Sequence, residues 1–104
     1  LSLKYRHRQE QLRYLYELVS RAKKPVIVAG DFNTFWGESE MFLFMKAAGL
    51  RSANVDGLPS YPSKSPRMEL DFVLYGEGID ITSFDIPHVI YSDHLPLICD
   101  FQLR

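Results

Sequence analysis

The sequence predicts an α/β domain. An N-terminal stretch carries apolar residues at helical spacing. A short unbroken apolar run follows, bounded by proline and glycine. Later stretches alternate apolar and polar residues in the manner of strands. With 104 residues the chain holds one domain at most. A hydrophobic fraction of 46% is enough to build a small core and excludes a disordered chain.

The first helix is expected from about Tyr5 to Ala22. Leu12, Leu15, Val19 and Ala22 recur at spacings of three and four, and Lys23, Lys24 and Pro25 end the run. Val26 to Ala29 reads as a strand buried on both faces and central in its sheet. The chain then turns through Asp31 to Gly37. A second helix is expected from Ser39 to Ala48, with Phe42, Met45 and Ala48 on one stripe and Gly49 as its C-terminal cap.

Leu50 to Val55 reads as a short strand. Asp56 to Arg67, with Gly57, Pro59, Pro62 and Pro66, reads as a loop. Glu69 to Tyr75 is a strand with Leu70, Phe72 and Leu74 on one face and Asp71, Val73 and Tyr75 on the other. Gly76 to Gly78 turns the chain. Ile79 and Ile81 alternate, but Phe84 and Ile86 take the opposite phase, so a bulge is expected near Thr82 and Ser83. Leu97 to Leu103 is the last strand, with Leu97, Cys99, Phe101 and Leu103 in alternation.

Formal charge is −1, which excludes a global basic footprint for nucleic acid. Residues 1–24 hold seven of the twelve Lys and Arg against two acids; the remainder holds five against eleven acids. An acidic remainder suits a cation site, although charge alone favours an ordinary solvated surface. Cys99, the one cysteine, reads as core packing and leaves no partner for an intrachain disulfide. The sequence has no run of about 18 apolar residues and no visible signal peptide, so a cytoplasmic, reducing compartment is the default expectation. The chain opens at Leu1 and enters a helix almost at once, as expected of a piece of a longer protein.

Three short words carry the chemistry: Gly30-Asp31-Phe32-Asn33, Leu70-Asp71-Phe72 and Ser92-Asp93-His94. Asp31 closes an apolar strand, where a carboxylate can orient or deprotonate an attacking water. Asn33 can donate its amide to a phosphate oxygen without adding charge. Taken alone, both residues are also ordinary turn formers. Asp93 can offer oxygen to a hard cation, and His94 can donate to a phosphate whose charge grows in the transition state. A loop with a surface histidine is the plain alternative. Asp71 interrupts an apolar strand, and a lone buried carboxylate is costly. His94 is the natural partner, since a carboxylate on one ring nitrogen fixes the tautomer and favours the imidazolium. The alternative is an edge strand with Asp71 in solvent. His7 and His88 read as solvated or loop residues, and Phe35 and Trp36 as core.

In this order the three words resemble the endonuclease/exonuclease/phosphatase superfamily, which includes DNase I-like nucleases, inositol polyphosphate phosphatases and neutral sphingomyelinases. The resemblance spans about Tyr5 to Leu103. It implies that Asp31 and Asn33 handle the nucleophilic water and the phosphate. Asp71 would pair with the catalytic histidine, Asp93 would be the metal-associated aspartate, and His94 would contact the scissile phosphate. The implied cofactor is Mg2+, with Mn2+ as a substitute, and the implied reaction is phosphodiester or phosphomonoester hydrolysis by in-line water attack.

The resemblance also implies a four-layer α/β sandwich, of which residues 1–104 would be the single C-terminal part. That part is expected to be about one half of the sandwich: a mixed, mostly antiparallel sheet with helices on one face. The family's early strands supply a metal-binding asparagine and glutamate. No such strand precedes Asp31 here, and Glu10 and Glu17 lie on the expected helix. Little activity is therefore expected without a missing N-terminal half. The bare sheet face is expected to favour self-association. The substrate stays open among nucleic acid, a phospholipid head group and an inositol phosphate. Two other readings compete. One is a non-catalytic binding or assembly module using that face. The other is an enzyme with Asp31 as a phosphorylated nucleophile, which lacks a neighbouring acid and a placed lysine.

Overall fold

The computed structural model describes the backbone of residues 3–31 and 38–104, and side chains within 9–31 and 40–104. The expected turn residues Asn33, Phe35 and Trp36 lie outside the described residues. In chain order the elements are α1 (Leu3–Arg21), β1 (Ile27–Asp31), α2 (Glu38–Ala48), β2 (Arg51–Ser52), β3 (Asp71–Tyr75), β4 (Ile79–Asp85) and β5 (Ile98–Leu103).

The strands form two small antiparallel sheets, not the single mixed sheet expected. One has the order β1-β3-β2 and the other pairs β4 with β5. After β3 the chain turns at Gly78, whose φ of +88° suits only a residue without a Cβ. A Cβ there would also stand 3.2 Å from Pro25 Cγ. β4 pairs with β5 from Ile79 opposite Leu103 to Asp85 opposite Ile98. The register slips between Ile81 and Ser83, where the change of apolar phase placed it.

β1 is the main departure from expectation. It lies at the edge of its sheet, with β3 in the middle, and only Val28 is half-buried within it. Val28 lies opposite Leu74 in the ladder and joins it against the helices, whereas Ile27 is 39% exposed on the other face. The apolar run therefore reflects one packed face and one open face, not burial on both.

The core joins both helices to one face of the three-stranded sheet. Met41, Phe44, Leu50 and Leu74 are buried together, with Leu12, Leu15, Val19, Val28, Met45, Ala48 and Phe72 packed around them. α2 ends as its sequence dictates. Gly49 takes φ +70°, its N–H donates to Lys46, and the Leu50 N–H donates to the Met45 carbonyl. That Schellman geometry drops Leu50 into the core.

β2 is shorter than the Leu50–Val55 stretch expected. Beyond it Asn54, which is buried, anchors the next turn. Its side chain donates to the Leu58 carbonyl at 2.8 Å and accepts from the Leu58 N–H at 2.9 Å. Cys99 is half-buried and stands outside the core cluster. Its strand neighbours Phe101 and Leu103 are exposed, so the alternation of β5 marks an apolar face and not a filled core.

Candidate functional site

The β1–β3 ladder ends with Asp31 opposite Asp71. Two carboxylates thus meet at one end of the sheet because each occupies the same rung. Their surroundings differ: the Asp71 side chain is 19% exposed and that of Asp31 45%. Like charges on one rung repel, so a cation or a strong donor set is needed between them.

His94 supplies it. Its Nδ1 lies 2.6 Å from Asp71 Oδ2, and its Nε2 lies 3.7 Å from Asp31 Oδ2. An ionised carboxylate only accepts, so Nδ1 carries the proton in this pair. Nε2 is left facing the Asp31 side of the cleft. The His94 pKa is raised above 6.5. The hydrogen bond to Asp71 is the largest cause. Partial burial opposes it, and the charges of Asp71, Asp31 and Asp93 add to it. The Tyr61 ring lies against the imidazole, with centroids 4.9 Å apart and planes at 48°.

The loop bearing His94 is fastened by the segment read from sequence only as a loop. The Ser63 N–H donates to the Asp93 carbonyl at 2.8 Å, and the Ser63 hydroxyl donates to the Ser92 carbonyl at 2.6 Å. The Leu95 N–H donates to the Ser60 carbonyl at 2.7 Å. The Ser60 hydroxyl donates to Asp71 Oδ2 at 2.7 Å. Ser60, Tyr61 and Ser63 were not singled out by sequence reasoning. Serines between prolines give no signal that they face a distant loop.

Of the sequence candidates, Asp31, Asp71 and His94 converge, and one ligand atom from each lies within 4.8 Å of the others. Asp93 is not in that cluster. Its side chain is exposed, and its carbonyl accepts from Ser63. Asn33 lies outside the described residues. Two carboxylates and an imidazole are a donor set that a divalent cation can use. The imidazole, bonded to Asp71 through Nδ1, is better placed to donate than to ligate while it is protonated.

The chain is 32% identical over 93 residues to a UPF0294 protein of Yersinia enterocolitica, covering 89% of this chain and 35% of that protein. It is 34% identical over 107 residues to a UPF0294 protein of Vibrio cholerae, covering 91% of this chain and 34% of the relative. A Vibrio vulnificus relative is 31% identical over 99 residues, again with 34% of its length matched. The chain thus spans about a third of the length of the curated relatives it matches. No solved structure gives a significant match. The sequence model described as the Endonuclease/Exonuclease/phosphatase family matches residues 3–94, nearly the whole chain and all three motif words, and the chain belongs to that family.

Proposed function

We propose that the chain is the C-terminal part of a metal-dependent phosphoesterase whose catalytic residues are Asp31, Asn33, Asp71 and His94, with Asp93 holding the metal. The observation that carries the reading is the Asp71–His94–Asp31 arrangement, with one imidazole nitrogen committed to a half-buried carboxylate and the other facing an exposed one. Family membership supports the reaction class.

In this reading the flanking carboxylates hold His94 as imidazolium, and Nε2 donates to a phosphate oxygen as charge builds there. Asp31 orients the attacking water and takes its proton. Asn33 donates to the phosphate. A new P–O bond forms to the water oxygen, the ester P–O bond breaks, and the leaving oxygen takes a proton from solvent. Mg2+, or Mn2+ in its place, would supply positive charge to the phosphate. Asp93 would hold it through its exposed carboxylate. Nucleic acid, a phospholipid head group and an inositol phosphate are all substrates within this chemistry.

The test combines the chain with the remaining part of a UPF0294 relative and follows hydrolysis of bis-p-nitrophenyl phosphate. Hydrolysis is expected to require Mg2+, to stop on chelation, and to fall by about 100-fold or more in Asp31→Asn and in His94→Ala. Full activity in both variants would remove the assigned roles.

A second reading is favoured by the apolar face of β4 and β5, where Phe101 and Leu103 are exposed. There the chain serves as an assembly module that pairs with a second copy through this face.

A further inference from the structure

We infer that Ser60 is a positioning residue that holds Asp71 and His94 in register, one with its side chain and the other with its main chain. Its weight for catalysis rests on the phosphoesterase reading above, but the positioning does not.

Ser60 is 1% exposed, so its hydroxyl must find a partner inside the protein. The partner is Asp71 Oδ2 at 2.7 Å, the oxygen that also accepts from His94 Nδ1 at 2.6 Å. Two donors converging on one oxygen fix the side-chain torsions of Asp71, and bonds to an ionised acceptor are the stronger kind. The Ser60 carbonyl accepts from the N–H of Leu95, the residue after His94. The Ser60 N–H donates to the carbonyl of Met68, three residues before Asp71. One buried residue therefore ties the entry to β3, the Asp71 carboxylate and the His94 loop together. Ser63 secures the near side of that loop through Ser92 and Asp93. The Ser60 side chain acts on the imidazole through Asp71, and its main chain holds the loop at Leu95.

The test is imidazole NMR on the whole chain, without substrate or metal, at a pH where His94 is neutral. The wild type is expected to show a downfield, exchange-protected Nδ1 proton and ring nitrogens of a single tautomer. Ser60→Ala is expected to lose that proton to exchange and to mix the tautomers. Asp71→Asn is expected to do the same, and adding Ser60→Ala to Asp71→Asn is expected to change little more. Ser83→Ala removes an exposed hydroxyl–carboxylate bond to Asp100 in the β4–β5 sheet, and is expected to leave the signal intact. Ser60→Cys fills nearly the same space with a weaker donor, so it covers an alanine variant that fails to fold; it is expected to weaken the signal.

An unchanged signal in Ser60→Ala or Ser60→Cys overturns the inference. So does an equal loss in the presence and absence of Asp71. If the signal is lost as expected but no combination hydrolyses a phosphate ester, the positioning stands and the phosphoesterase reading falls. If hydrolysis depends on Mg2+ and the signal ignores Ser60, the positioning alone falls.

Discussion

His94 lies between two carboxylates of different exposure, and that difference assigns its nitrogens. Nδ1 is committed to Asp71, and Nε2 faces Asp31. A histidine whose folded pKa is raised stabilises the fold most where it is protonated. The contribution is therefore complete below about 6.5 and is lost as pH rises through the raised folded value. The difference in urea midpoint between the wild type and His94→Gln is expected to be largest just below 6.5 and to shrink on the alkaline side. A difference that is flat with pH would show that the pair gains nothing from the charge of the ring. At this scale the sequence was informative where chemistry forced a pairing. A carboxylate inside Leu70-Asp71-Phe72 needs a partner, and a histidine in a nearby word was available. It was silent on Ser60 because a hydroxyl in a proline-rich loop has no periodicity to reveal what it faces.

Elements were legible where one residue decides them. Gly49 ends α2, and the phase change after Ile81 marks the register slip in β4. The position of β1 was not legible, because an apolar run of four looks the same whether one face or two are covered. Nor was the split into two sheets, because strand pairing is set by contacts between residues far apart in sequence. Gly78→Ala combines a left-handed backbone with a Cβ 3.2 Å from Pro25 Cγ. It is expected to lower unfolding free energy by about 1–2 kcal/mol, and more if Pro25 cannot yield. Gly30→Ala meets nothing within 4 Å and needs no left-handed backbone, so it is expected to change stability by under about 1 kcal/mol. Denaturant unfolding of the two variants tests this. Equal losses would mean that the left-handed backbone and the approach to Pro25 at Gly78 add no strain.

The whole molecule is a slab. Its extents are 42 × 36 × 20 Å and its radius of gyration is 14.3 Å, against about 13 Å for a compact chain of this length. A thickness of 20 Å holds about two layers of secondary structure, here helices on a sheet, as befits a partial domain of this family. A slab buries less apolar surface than a sphere, and the open side is visible in β5. Phe101 opposes Ile81 and Leu103 opposes Ile79, so all four share one face. Ile79 is buried, yet Phe101 is 47% and Leu103 66% exposed. Among the described residues, no helix is long and apolar enough to place such a surface across a membrane. Water contact on this face costs free energy that association recovers. The chain is therefore expected to gain mass with concentration in sedimentation velocity, starting from a 12.1 kDa monomer. Phe101→Lys puts a charge at the centre of the face, across from Ile81, and is expected to hold the chain at the monomer mass with its circular dichroism unchanged. Association that persists undiminished in Phe101→Lys would move the contact off this face, and with it the support for an assembly role.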